Sequence, residues 1–81
     1  MNWVDVTFSL PTATVFQRVL NLHKFISEVF RELGFKDDEY HYDYEVTHHY
    51  IRFTLSYRED SVNNDMRGQL VATFVSKLYQ L

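Results

Sequence analysis

Cysteine is absent from this 81-residue chain, glycine occurs twice and proline once. Without cysteine there is no disulfide framework, no thiol nucleophile and no cysteine-ligated zinc, so the fold is held without a disulfide staple. No phosphate-binding glycine loop and no glycine elbow around a nucleophile is present. No run approaches the roughly 20 apolar residues of a membrane-spanning helix. Basic residues are also scarce, eight against eleven acidic, for a net charge of −3. That balance argues against a dedicated nucleic-acid binder, because neutralising phosphates takes a basic patch. The opening MNWVDVTFSL contains Asp5 and has neither a basic start nor a long apolar run. No secretory leader is expected, and the expected location is the cytoplasm.

What the chain has is aromatic side chains: seven Phe, six Tyr and one Trp, 17% of all residues. At this length they suit one compact domain over residues 1–81 that needs no metal or cofactor to fold.

The most patterned stretch is 39–57, EYHYDYEVTHHYIRFTLSY. Tyr40, Tyr42 and Tyr44 alternate with His41, Asp43 and Glu45. Beyond a break near Thr47, Ile51, Phe53, Leu55 and Tyr57 alternate with Arg52, Thr54 and Ser56. Period two on both sides of a turn predicts a β-hairpin with one buried and one wet face. A turn at Thr47-His48 would set Tyr44 opposite Ile51, Tyr42 opposite Phe53 and Tyr40 opposite Leu55, with Asp43 facing Arg52 on the wet side.

Residues 2–10 alternate in the same way, with Val4, Val6, Phe8 and Leu10 against Trp3, Asp5, Thr7 and Ser9, and Pro11 is expected to close the strand. Thr14 and Gln17 have the form of a capping box, and the spacing predicts a helix over 15–33 ended by Gly34. Val15, Phe16, Val19, Leu20, Leu22, Ile26, Val29, Phe30 and Leu33 fall on one half of its wheel. His23 lies in that arc and is expected to be a helix-face histidine with a hydrogen bond. A second helix, capped from Ser61, Asn63 or Asn64, carries the stripe Met66, Leu70, Phe74, Leu78 and Leu81.

The element order is thus β-α-β-β-α. The expected fold is α+β: a two-layer α/β sandwich with a three-stranded antiparallel or mixed sheet and both helices on one face, a ferredoxin-like arrangement lacking its last strand. In element order and length the chain resembles the DinI-like regulators of recombinase filaments. Those act through an acidic second helix, whereas this one has Asp65 at its start, then Arg67 and Lys77, and their function is not carried over.

Three surfaces are candidates for function. The wet sheet face gathers Trp3, Asp5, His41, Asp43, Glu45, Tyr50 and Arg52, an aromatic-plus-arginine mix of the kind found at interface hot spots; the plain alternative is a solvated sheet face. The acidic turns Asp37-Asp38-Glu39 and Glu59-Asp60 could imitate a nucleic-acid backbone, or be ordinary surface charge. Gly68 and Ala72, with Val75 and Tyr79, could form a dimer seam, or pack on the first helix. His41-x-Asp43 with His48 and His49 falls short of the three or four converging ligands a metal needs. No catalytic set is found, so no enzyme is expected. The expected function is a small non-enzymatic protein-binding module, a regulator or inhibitor that docks on another protein, as a homodimer formed through strand 1 or the last helix and with no membrane or direct nucleic-acid contact. The alternative is an acidic mimic that blocks a nucleic-acid-processing enzyme, of the phage anti-restriction or anti-CRISPR type.

Overall fold

A computed structural model describes residues 2–61 and 65–81. The chain runs β1 (Trp3–Pro11), α1 (Thr12–Phe16), α2 (Leu22–Glu32), β2 (Tyr40–Val46), β3 (Tyr50–Arg58), a 3-10 turn (Glu59–Ser61) and α3 (Met66–Tyr79). The class is α+β, with three antiparallel strands in an open sheet of order β1-β3-β2. β3 is therefore central, and β1 and β2 are both edges. No helix among the described residues is long and apolar enough to cross a membrane.

The single helix expected over 15–33 is in fact two. The capping box at Thr14 does not form: α1 follows directly on β1, with Pro11 at its N-cap and no side-chain cap. Thr12 instead ties this corner to the hairpin, its N–H donating to His49 O at 3.0 Å and its hydroxyl to Thr47 O at 2.9 Å. α2 restarts at Asn21, whose side chain accepts from Lys24 N–H at 3.0 Å and satisfies one of the orphan donors of the first turn. The break removes Phe16 and Leu20 from the buried arc and leaves both exposed, while Val15, Val19, Leu22, Ile26, Val29 and Phe30 stay buried as the wheel predicts.

Gly34 does end α2, at φ 94°. Its N–H bonds to Arg31 O and that of Phe35 to Phe30 O, and the Phe30 and Phe35 rings meet edge to face at 5.5 Å. This is the paired hydrogen-bond and apolar-contact pattern that a left-handed residue permits at a helix end. α3 is capped by Asp65, which accepts from Gly68 N–H at 3.4 Å, rather than by the expected Ser61, Asn63 or Asn64; Ser61 belongs to the 3-10 turn, and Asn63 and Asn64 lie outside the described residues.

The hairpin register differs from expectation by two residues. Tyr40 faces Tyr57, Tyr42 faces Leu55, Tyr44 faces Phe53 and Val46 faces Ile51. The turn is His48-His49, held by Thr47, whose hydroxyl accepts from Tyr50 N–H at 3.0 Å and donates to Tyr50 O at 2.7 Å. A slip of two keeps each side chain on its expected face. It does change cross-strand partners: Arg52 pairs with Glu45 at 3.6 Å, and Asp43 faces Thr54.

The core lies on one sheet face. Ile51, Phe53 and Leu55 are fully buried there, flanked by half-buried Val4, Phe8 and Leu10 on β1 and Tyr40, Tyr42 and Tyr44 on β2. Phe74 of α3 meets Phe8, Phe25 and Phe53 with ring centroids about 5 Å apart, and Phe30 of α2 stacks on Tyr40 at 4.3 Å. In α3 the stripe Met66, Leu70, Phe74 and Leu78 is buried as predicted, while Leu81 is exposed. Pro11 closes β1 as expected, as its last residue.

Candidate functional site: the outer sheet face and the two sheet edges

On the side of the sheet away from the core, β1 contributes Trp3, Asp5, Thr7 and Ser9, β3 contributes Tyr50, Arg52, Thr54, Ser56 and Arg58, and β2 contributes His41, Asp43 and Glu45. All seven residues expected on this face lie there. Trp3 is 43% and Tyr50 57% exposed, at opposite ends of the sheet.

Across the middle strand runs a row that the pattern did not reveal. Ser56 stands between Asp5 on β1 and His41 on β2 in the register, is 1% exposed, and donates its hydroxyl to Asp5 Oδ1 at 2.6 Å. Above it the Trp3 and His41 rings approach to 4.4 Å. β1 and β2 are two strand spacings apart, about 9.5 Å, so these rings must lean toward each other over β3. That arch explains how a serine on a polar face becomes buried. Asp, Ser and His are the residue types of a nucleophilic triad, but the wiring is different: the hydroxyl points at the carboxylate rather than at an imidazole, and the arch closes it off. The row was hidden because the two-residue slip sets His41 opposite Thr54.

The acidic turns do come to one end of the sheet. Arg58 N–H bonds to Glu39 O and Glu59 N–H to Asn2 O, each at 3.0 Å. Two of the carboxylates are matched by cations, Asp37 with Arg31 and Asp60 with Arg58, both at 3.5 Å, and Asp37, Asp38, Glu59 and Asp60 are all exposed. Arg58 Nε is buried without a hydrogen-bond partner. Of the suggested seam, Gly68, Ala72 and Tyr79 face outward and Val75 is half-buried; Tyr79 lies under the Arg18 guanidinium at 4.9 Å. α2 and α3 are instead joined through their buried stripes and by Lys77, which bridges Glu28 and Glu32. Among the described residues no group of three His, Cys, Asp or Glu could hold a metal ion.

His23 is the hydrogen-bonded helix-face histidine expected, and its two partners and a groove beside the helix break are further features of the structure. His23 has Tyr42 OH 3.0 Å from Nδ1 and Tyr44 OH 3.0 Å from Nε2, which clamps the start of α2 to β2. A neutral imidazole offers one donor and one acceptor, so one tyrosine accepts a hydrogen bond and the other donates one. Elsewhere a groove of about 290 Å³ between the α1–α2 break and the end of α3 is lined by Arg18, Leu20, Lys24, Phe25 and Leu81.

The backbone distinguishes the two edges. In an antiparallel pair, directly opposed residues alternate between those that exchange hydrogen bonds and those that do not. Asn2 bonds with Glu59 and Thr12 with His49, so along β1 the even residues face β3 and the N–H groups of Trp3, Asp5, Thr7 and Ser9 point to the open edge. Pro11 is odd too, and the N–H it lacks is one the ladder does not use. On β2 the Glu39–Arg58 and Thr47–Tyr50 bonds put the odd residues in the ladder, leaving the amides of Tyr40, Tyr42, Tyr44 and Val46 outward. There the Asp43 carboxylate turns back and accepts from Tyr44 N–H at 2.9 Å.

Comparison of the chain with protein-family models, with curated proteins and with solved structures finds no match.

Proposed function

We propose that this chain is a small non-enzymatic protein-binding module, a regulator or inhibitor that acts by laying its outer sheet face on a partner protein. The architecture that goes with this reading is a two-layer α/β sandwich, ferredoxin-like without its last strand, in which one layer of helices leaves the far side of the sheet for the partner. The observation that carries it is the pair of exposed aromatics, Trp3 and Tyr50, on a sheet face otherwise made of short polar and charged side chains. Aromatic anchors with an arginine between them are the composition from which interface energy is drawn. The wiring of Asp5, Ser56 and His41 supports a binding role over a hydrolytic one.

A second reading is favoured by one observation, the gathering of the two acidic turns at one end of the sheet. On that reading the chain imitates a phosphate backbone and blocks a nucleic-acid-processing enzyme, as phage anti-restriction and anti-CRISPR factors do.

Affinity capture with the tagged chain separates them. Docking by the outer face requires that Trp3→Ala and Tyr50→Ala each lose the captured partner, while Asp38→Lys combined with Glu59→Lys keeps it. Loss on charge reversal alone would hand the function to the acidic end, and retention in all variants would remove both surfaces.

A further inference from the structure

β1 presents a nine-residue edge with outward amides at Trp3, Asp5, Thr7 and Ser9, and Asp5 is its one charged residue. An edge of this kind is a template for another strand, and natural sheets blunt such edges with charge, bulges or inner prolines. β2 is blunted: it carries Asp43 and Glu45, and Asp43 occupies the Tyr44 amide. β1 carries a single charge, Asp5, whose carboxylate accepts from the Ser56 hydroxyl rather than from an edge amide, and its proline lies at the last position of the strand.

We infer that β1 pairs with β1 of a second copy of this chain, antiparallel, about a two-fold axis at Thr7. The strand is complementary to itself in that register and no other need be invoked. Thr7 lies opposite Thr7 of the second copy, an outward-amide residue on each side, so the two exchange both backbone hydrogen bonds. Asp5 lies opposite Ser9 of the second copy, where a hydroxyl meets the carboxylate and no like charges oppose each other. Trp3 lies opposite Pro11 of the second copy: the tryptophan amide donates to the proline carbonyl, nothing is asked in return, and the ladder ends. Because Pro11 is the register partner of Tyr50, the pairing carries the exposed Trp3 of one copy toward the exposed Tyr50 of the other. On the core side Val4 meets Leu10 and Val6 meets Phe8 of the second copy, and Val4, Phe8 and Leu10 are the half-buried members of the β1 inner face. The same construction on β2, centred on Tyr42 or Tyr44, would have to displace Asp43 from the Tyr44 amide. The two sheets thus become one, and the assembly has a closed two-fold interface.

The inference does not rest on the docking reading, and its test reads mass and amide protection rather than partner capture. Sedimentation of the full chain from low micromolar to near-millimolar concentration should show a monomer–dimer equilibrium. Thr7→Lys, which sets two ammonium groups face to face on the axis, and Thr7→Pro, which deletes the central outward amide, should both be monomeric throughout with unchanged far-ultraviolet circular dichroism. If Thr7→Pro fails to fold, Thr7→Lys decides. Hydrogen exchange should show the amides of Trp3, Asp5, Thr7 and Ser9 gaining protection as concentration rises, with those of Val4, Val6 and Phe8 protected at every concentration. A wild type that stays monomeric overturns the inference. So does a dimer that survives Thr7→Lys, or one dissolved by Ala72→Glu on α3 while Thr7→Lys leaves it intact.

Discussion

β1 and β2 flank the same central strand, run antiparallel to it in unbroken register, and expose comparable lengths of backbone, yet they are finished differently. β2 folds a carboxylate onto its own free amide and is pinned from the helix side by His23 through two tyrosine hydroxyls. β1 keeps its outward amides bare and holds one charge in nine residues. The difference teaches that an edge is protected by local chemistry, a single aspartate in the right phase, rather than by strand length or apolar content. On the proposed pairing, it also divides the molecule's surface into a β2 side guarded against another strand and a β1 side open to one.

The comparison is broken most severely at what both edges share. Phe74→Ala removes the ring that touches Phe8, Phe25 and Phe53, and should cost about 3 to 5 kcal/mol in chemical denaturation, collapsing both edges with the core. Next comes a contrast inside β1. Val6→Pro deletes an amide that faces β3 together with a buried side chain, and should cost about 3 kcal/mol or more, whereas Thr7→Pro one position on should retain the cooperative melt. Asp5→Ala leaves the buried Ser56 hydroxyl without its acceptor, and a loss of about 1 to 3 kcal/mol is expected. Ser56→Ala, which takes away the donor and leaves an exposed carboxylate to water, should cost less than Asp5→Ala; the reverse order would show that the arch does not seal the site. Asp43→Ala should change stability by less than about 1 kcal/mol while accelerating exchange of the Tyr44 amide, which would make β2 resemble β1. His23→Ala, removing an exposed clamp, should have the smallest effect, under about 1 kcal/mol, seen as faster exchange at the start of α2.

How much of this was legible follows from which symmetries the sequence pattern has. Alternation assigns faces, and Tyr40, Tyr42, Tyr44, Ile51, Phe53 and Leu55 took the core side while Trp3, Asp43, Glu45 and Arg52 took the other. Alternation is blind to a slip of two, because such a slip preserves every face. What sets the register is the Thr47 hydroxyl closing on Tyr50, a local hydrogen bond with no periodic signature. From that slip followed the wrong partner for Arg52 and the missed row of Asp5, Ser56 and His41. The broken helix has a different origin. Val15 to Leu33 satisfy the wheel whether or not the backbone is continuous, and the competing signal, Asn21 as an N-cap, is masked by the fuller capping-box pattern at Thr14. Leu20, placed in the core by the wheel, lies in the break between α1 and α2 and is exposed. Bare and blunted edges are a matter of amide phase, which needs the register before it can be read at all.

The order β1-β3-β2 also has a kinetic side. β3 meets β2 across a two-residue turn, a local closure of the sort completed in microseconds, whereas β1 reaches β3 only by bringing Trp3 to Arg58 and Pro11 to Tyr50 over the whole intervening helical segment. The hairpin with α2 against it is therefore the expected nucleus, and β1 the piece that docks last, the core-side Val6 and Phe8 showing low φ-values and Tyr44 and Phe53 high ones. During synthesis β1 leaves the ribosome long before its ladder partner exists, as an unpaired strand with an open edge on both sides. Of the two edge strands, the one with no aspartate folded onto an outward amide is also the one that spends longest with none of its hydrogen bonds made.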